Sequence, residues 1–126
     1  MTLLSLATTA SFFIVPKVGI ATEVIIMNTT NKEPLFTLGN CCMTPGIVNL
    51  VERFYFPAPH FLALHQAGDP GLLEAEDVES NVDALRSGRR IFSAYAFEPP
   101  HSDSIKIWII TEADRSSTTI LLPSEY

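Results

Sequence analysis

The fold is decided by residues 91–122, which contain the runs IFSAYAF (Ile91–Phe97), IKIWIIT (Ile105–Thr111) and TTILL (118–122). All three runs are rich in the β-branched and aromatic residues that strands favour. Two short polar segments separate them, and connections of this length join antiparallel neighbours. The sequence therefore predicts that a three-stranded antiparallel meander closes the domain.

The central run of this meander is apolar at both its odd and its even positions, apart from Lys106. Successive side chains of a strand point to opposite faces of the sheet. We therefore expect this strand to be covered on both faces, with helices on one of them. Trp108 is expected in the core, where its replacement by alanine costs about 3–5 kcal/mol.

Three helices are predicted before the meander. Thr44-Pro45 is a start signal, because it combines a hydroxyl N-cap with proline at the first helical position. An apolar stripe at helical spacing follows it. The second helix is predicted over residues 60–67, and the third over residues 73–87 with Gly88 as its cap.

The N-terminal part of the domain is predicted to be a strand over residues 35–42, bent at Gly39-Asn40. The predicted fold class is thus α+β. Its order is an N-terminal strand, three helices and the C-terminal three-stranded antiparallel meander, with the helices packed on one face of the sheet.

Residues 1–26 differ in composition from the rest of the chain. They are mostly apolar. An export signal requires basic residues before its apolar stretch, and here no basic residue precedes Lys17. Pro16 interrupts the apolar run that a membrane-spanning helix needs. Met27 then opens an ordinary polar segment. We expect residues 1–26 to be a non-native or disordered leader and residues 27–126 to form a single α+β domain. A weak export signal and a real extra strand are the alternatives.

Composition excludes several classes of function. Eight basic and 14 acidic residues give a net charge of −6, which argues against nucleic acid as a partner. The adjacent cysteines, Cys41 and Cys42, provide neither a disulfide framework nor a zinc-ligand spacing. The expectation is an acidic, cytoplasmic protein with no metal, no cofactor and no membrane contact.

The second polar break, Glu112-Ala113-Asp114-Arg115-Ser116-Ser117, is more polar than a turn requires. One interpretation is an Asx-type turn with an internal ion pair between Asp114 and Arg115. The other is a binding loop, in which Arg115 holds a carboxylate or a phosphate. The candidate binding residues are Asp69, Glu76, Asp77, Glu112, Asp114, Arg115, Ser116 and Thr118.

Candidate catalytic residues are His65, Asp69 and Asp114. A histidine followed four residues later by a carboxylate could orient a base or bind a metal. The competing interpretation is that His65 caps the C-terminus of its helix. The chain has no nucleophile elbow, HExxH motif or phosphate loop, so a role other than catalysis is favoured.

Several motifs together resemble a known family. They are LFTLG (35–39), TPG (44–46), HQAGD (65–69) and, most specifically, KIWIITEADRSSTTILLP (106–123). The chain from residue 35 onward resembles a small family carried on plasmids and integrative elements, often labelled "plasmid-related protein". The resemblance implies a gene carried by a mobile genetic element, and it implies no activity. Pro70 stands where the family has an aromatic residue.

Such proteins are sometimes labelled methylase subunits of restriction enzymes. This sequence contains no glycine-rich strand-to-helix loop that would hold a methyl donor. The only adjacent prolines, Pro99-Pro100, are typical of a stiffened hairpin turn.

The sequence favours a small mobile-element accessory protein. We expect it to bind a host or element-encoded protein through a surface that contains Asp69 and Asp114-Arg115. Three alternatives stay open: a small hydrolase or nuclease using His65, Asp69 and Asp114, an acidic DNA mimic that inhibits a nucleic-acid enzyme, and a sequence-specific DNA binder. The oligomeric state is not predicted.

Overall fold

A computed structural model describes Leu4–Ser5 and residues 33–126. The expectations for residues 1–26 therefore fall outside the described residues, except at Leu4–Ser5. The elements in chain order are strand β1 (Leu4–Ser5), strand β2 (Asn40–Met43), helices α1 (Pro45–Phe54), α2 (Ala58–Gln66) and α3 (Ala75–Ser87), strands β3 (Ile91–Phe97), β4 (Ile105–Thr111) and β5 (Ser117–Leu121), and a short 3₁₀ turn (Pro123–Glu125).

The α+β class is confirmed, and β3, β4 and β5 pair antiparallel in sequence order. The sheet is nevertheless mixed, with strand order β1-β2-β5-β4-β3. Strand β2 pairs parallel with β5, from Asn40 opposite Ser117 to Met43 opposite Ile120, and β1 adds antiparallel to β2. The strand before the helices is therefore hydrogen-bonded to the last strand of the meander.

The predicted N-terminal strand is shorter than expected. Only Asn40–Met43 is a strand, because the preceding residues turn away to contact α2, where the Leu35 N–H donates to the Gln66 carbonyl at 2.8 Å. Gly39 makes the turn into the strand at φ 66°. The bend expected at Gly39-Asn40 is thus present.

The three helices are present, with small differences at their starts. Helix α1 begins at Pro45, directly after Thr44, although no side-chain hydrogen bond from Thr44 caps it. Helix α2 begins at Ala58 rather than at residue 60, and α3 begins at Ala75 rather than at residue 73. Gly88 follows α3 at φ 72°, as expected of a C-terminal glycine.

Helices α1 and α2 cover one face of the sheet, which we call the helical face. Ile47 of α1 and Phe61 of α2 belong to a single apolar core with Ile107, Ile109 and Ile120 of the strands. Burial of such side chains supplies most of the driving force for folding. The expectation of helices on one face of the sheet therefore holds for α1 and α2.

Helix α3 lies along the outer edge of β3, which is a correction to the expected layer of three helices. Its Asn81 side chain donates to the Phe92 carbonyl at 2.6 Å and accepts from the Phe92 N–H at 3.0 Å. Two residues further along β3, the Ala94 carbonyl, which also points away from β4, accepts the Leu72 N–H at 2.7 Å. These bonds protect an edge strand whose polar backbone would otherwise pair with another chain.

A substitution at Gly39 tests the turn into β2. A Cβ added to Gly39 would clash with the backbone oxygens of Arg115 and Ser116, in addition to the cost of a positive φ. We expect Gly39→Ala to lower the free energy of unfolding by about 3 kcal/mol, measured by urea denaturation. Gly88→Ala is the matched control, since Gly88 has φ 72° and a Cβ added there would meet no atom within 4 Å. The control is expected to lose about 1 kcal/mol, and equal losses would refute the close approach.

Candidate functional site

The hairpin loop between β4 and β5, residues 112–116, contains the Asx turn expected from the sequence. The Asp114 carboxylate accepts the Ser116 N–H at 2.9 Å. A hydrogen bond from the Ser116 hydroxyl, together with this backbone bond, lowers the pKa of Asp114. The Asp114 side chain lies exposed at the tip of the loop. The carboxylate is therefore ionised and open to a partner.

Arg115 makes no ion pair with Asp114, so the expected internal ion pair is wrong. Its guanidinium instead donates to backbone carbonyls, with Nη1 reaching Arg89 at 2.6 Å and Nη2 reaching Ala84 at 3.0 Å. Nη1 also donates to the Glu112 and Ala113 carbonyls, both at 3.1 Å. The Ala84 carbonyl lies in the last turn of α3 and also accepts the Gly88 N–H at 2.9 Å, so Arg115 adds a charged donor to the C-terminal cap of this helix. Arg115 thus ties the hairpin loop to the end of α3, and these bonds engage Nη1 and one N–H of Nη2.

Arg115→Ala tests this anchoring role. We expect the free energy of unfolding to fall by about 2 kcal/mol, because carbonyls at the end of α3 lose a charged donor while remaining accessible to water. Arg86→Ala, on the exposed last turn of the same helix, is the matched control with the same change of charge. Chemical denaturation of both variants gives the comparison. A stable Arg115→Ala protein would return this residue to the list of partner-binding groups.

His65 lies in the centre of the domain and is fully buried. Its ring Nδ1 is 2.6 Å from the Ser93 hydroxyl, and Nε2 is 2.8 Å from the Thr111 hydroxyl. Thr111 in turn bonds the Thr118 hydroxyl at 2.7 Å, and Thr118 donates to the Leu38 carbonyl at 2.7 Å. The ring therefore joins α2 to three strands and does not cap its own helix, so the capping interpretation is wrong.

This chain of hydrogen bonds has one consistent direction. A carbonyl only accepts, so the Thr118 proton points at Leu38 and the Thr118 oxygen accepts from Thr111. Thr111 has then used its only proton, so it accepts from Nε2–H of His65, and Nδ1 accepts from Ser93. Burial lowers the pKa of His65 to about 3. The ring is consequently a neutral Nε2–H tautomer with both nitrogens satisfied.

The candidate catalytic residues do not meet. Asp69 belongs to the turn after α2, where its carboxylate accepts the Gly71 N–H at 2.9 Å and its carbonyl accepts the Tyr95 hydroxyl at 3.0 Å. Asp114 bonds only within its own loop, and His65 bonds only to hydroxyls of the strands. Within the described residues, no hydrogen bond or ion pair links any two of these three side chains.

Six of the eight predicted binding residues divide into two groups, and Asp69 lies apart from both in the turn after α2. Glu112, Asp114, Arg115 and Ser116 lie together in the hairpin loop, at the C-terminal end of α3. Glu76 and Asp77 are exposed in the first turn of α3, about 11–12 Å along the helix from Ala84 at a rise of about 1.5 Å per residue. Thr118 is fully buried in the hydrogen-bond chain of His65, which removes it from any binding surface.

The sheet face opposite α1 and α2 carries a groove that the sequence analysis missed. It has a volume of about 320 Å³ and is lined by Arg90, Phe92, Trp108, Ile110 and Tyr126, which we call the aromatic groove. The Trp108 ring is edge-on to Phe92 at 5.1 Å and to Tyr126 at 5.8 Å between ring centroids. The signal in the sequence was the apolar character of Phe92, Trp108 and Ile110, which share one face of neighbouring strands.

Trp108 is partly exposed in this groove, so its expected place in the core is wrong. Ile107 and Ile109, its neighbours on β4, face the helices and are completely buried. Alternation along the strand turns Trp108 to the opposite face. On that face, Phe92 and Tyr126 pack against Trp108 with their rings roughly perpendicular to it, and no helix of residues 33–126 covers the ring.

Arg90 joins the aromatic groove to the hairpin loop. Its Nη1 donates to the Tyr126 hydroxyl at 3.3 Å, and its guanidinium carbon lies 5.9 Å from the centre of that ring. Its Nε is 3.4 Å from the Glu112 carboxylate. Glu112 begins the hairpin loop, so the groove and the loop form one continuous surface with an aromatic floor and a charged rim.

Comparisons with known proteins do not add an identity. No protein-family model, curated protein or solved structure matches this chain. Within residues 33–126, no helix has the length and apolar character of a membrane span. In the same part of the chain, no three His, Cys, Asp or Glu side chains group together as ligands for a metal ion.

Proposed function

We propose that this protein acts by binding a partner protein through the aromatic groove and the adjoining hairpin loop. The observation that carries the proposal is the partly exposed Trp108 between Phe92 and Tyr126, with Arg90 at the rim. Tryptophan, tyrosine and arginine are the residues that contribute most often to the energy of protein interfaces. A rim of exposed charges around an apolar centre is also the usual anatomy of such an interface.

The hairpin loop contributes exposed carboxylates to this surface. Asp114 is presented by the Asx turn, and Glu112 stands beside Arg90. Charges at an interface rim mainly set association rate and partner choice. Arg115 anchors the loop through its bonds to the carbonyls of Ala84 and Arg89, at and just after the end of α3. Its proposed role is therefore to position the loop rather than to contact the partner.

The contacts of His65 support a role other than catalysis. A general base must reach a proton of the substrate, and both ring nitrogens of His65 are bonded inside a fully buried cluster. Asp69 and Asp114 are engaged in separate turns. The hydrolase or nuclease alternative therefore gains no site from these residues.

The resemblance to the "plasmid-related protein" family suggests where the partner comes from. The product of a gene carried by a mobile element encounters proteins of the host cell and of the element itself. We accordingly propose a mobile-element accessory protein whose partner is a host or element-encoded protein.

Affinity capture from host lysate tests the proposal. The tagged full-length chain is compared with Tyr126→Ser, which removes one wall of the groove from a side chain that is 71% exposed. Tyr55→Ser is the matched control, since Tyr55 is 88% exposed and does not line the groove. We expect one stoichiometric protein to bind the wild type and Tyr55→Ser and to be lost from Tyr126→Ser. Equal capture by all three proteins, or no stoichiometric partner at all, would contradict the proposal.

A further inference from the structure

We propose that the aromatic groove takes an acidic peptide segment of the partner, in which a large apolar side chain is flanked by carboxylates. This inference rests on the proposed function, because it names the chemistry of the partner at the same surface. It is carried by the size of the groove, the aromatic lining and the distribution of charge around it.

The size of the groove fits side chains of a partner protein. Its volume of about 320 Å³ lies at the lower limit of pockets that enclose small ligands. Among residues 33–126 no helix covers the groove, and three of its five lining residues are aromatic. An aromatic or a large aliphatic side chain of a partner would contact the edges and faces of Phe92, Trp108 and Tyr126, which favours an apolar anchor residue.

The charged side chains of the groove and its strands are basic, although the whole chain is acidic and the hairpin loop at one rim carries Glu112 and Asp114. The protein has a net charge of −6, yet strands β2 to β5 contain no acidic residue and their only charged residue is Lys106. Lys106 is exposed and lies two positions before Trp108, on the same face of β4. Arg90 lines the groove itself, and by the register of β3 with β4 it lies six residues along the sheet from Lys106, which flanks the groove. An acidic segment of the partner that runs along the strands would thus meet Arg90 on one side of its apolar anchor and Lys106 further along on the other.

Arg90 can accept a carboxylate from a partner despite its contact with Glu112. The Nε–carboxylate distance is 3.4 Å, and the side chains are 47% and 43% exposed. Exposed ion pairs of this kind contribute little to stability and exchange readily. A partner carboxylate that arrives with an apolar side chain would meet Arg90 where water is displaced, and the attraction is stronger there.

The emission of Trp108 provides a direct measurement, because it is the only tryptophan of the chain. The full-length protein is titrated to millimolar concentration with three short Gly/Ser peptides whose centres are Asp-Phe-Asp, Lys-Phe-Lys and Asp-Ala-Asp. We expect a saturable shift of the emission with Asp-Phe-Asp, and weaker or no response with the other two. Arg90→Gln is expected to weaken the Asp-Phe-Asp peptide about five-fold. Arg86→Gln, with the same change of charge on the exposed surface of α3, is expected to leave the affinity unchanged.

Other outcomes overturn the inference in distinguishable ways. Equal binding of Lys-Phe-Lys would refute the acidic chemistry, and equal binding of Asp-Ala-Asp would refute the apolar anchor. If no peptide binds while Tyr126→Ser still loses the captured protein, the partner chemistry is wrong and the proposed function stands. A stronger response to oligothymidylate than to any peptide would assign the groove to single-stranded nucleic acid. A shift of the emission with protein concentration alone would assign it to a second copy of this chain.

Discussion

His65→Ala is expected to lower the free energy of unfolding by about 3–5 kcal/mol. The side chain is completely buried, so its removal leaves a cavity in the core. It also leaves the Ser93 hydroxyl without its acceptor and the Thr111 oxygen without its donor. Urea denaturation followed by circular dichroism measures the loss, and a variant that fails to accumulate as folded protein agrees with the upper part of the range.

His60→Ala is the control for this prediction. His60 lies on the same helix but is exposed, and the change is expected to alter the stability by no more than about 0.5 kcal/mol. Nitrogen chemical shifts of the wild-type imidazoles add a test that does not depend on stability, since the hydrogen-bond chain requires the Nε2–H tautomer of His65. Equal losses in the two variants, or an Nδ1–H tautomer, would contradict the arrangement around His65.

The second large effect is a loss of stability in weak acid. Burial lowers the pKa of His65 from 6.5 to about 3, so in this interval the unfolded state binds a proton that the folded state does not. The free energy of unfolding therefore rises with pH, and the contribution of His65 is fully present only above about 6.5. As the pH falls below this value, we expect a loss that approaches about 1.4 kcal/mol per pH unit.

Urea titrations between pH 5 and 7.5 isolate this contribution, because unfolded carboxylates titrate mainly at lower pH, near about 4. The His65→Gln variant cannot take up this proton and is expected to show a flatter dependence over the same interval. If the wild-type protein keeps a constant stability down to pH 5, His65 is not buried as a neutral ring. A slope of equal size in His65→Gln would assign the proton uptake to other groups.

Some parts of the fold followed from local sequence patterns. The bounds of β3 and β4 were predicted as the structure has them, because β-branched and aromatic residues form continuous runs between polar breaks. The start of α1 at Pro45 and the Asx turn at Asp114 also followed, since both depend on residues only a few positions apart. The predicted β2 was too long, because the contact of Leu35 with α2 is not visible in a local pattern.

The candidate site was predicted less well than the fold. A polar loop after β4 was expected, yet Arg115 looked free because its acceptors include carbonyls 26 and 31 residues earlier. Trp108 was assigned to the core because the central strand is apolar at both odd and even positions, which predicted cover on both faces, whereas α1 and α2 cover only the face of Ile107 and Ile109. The aromatic groove was missed because it depends on the contact of Tyr126 with Trp108, which are 18 positions apart in the sequence.

The sequence by itself determined the α+β class, the meander and the positions at which helices and turns begin. Those features depend on side-chain periodicity and backbone preferences within a few residues. Only the tertiary structure decided the parallel pairing of β2 with β5, the partners of His65 at separations of 28 and 46 residues, and the union of Arg90, Trp108 and Tyr126 in one groove. Such contacts form because packing of the whole core brings distant segments together, and many side chains of similar polarity could have met there.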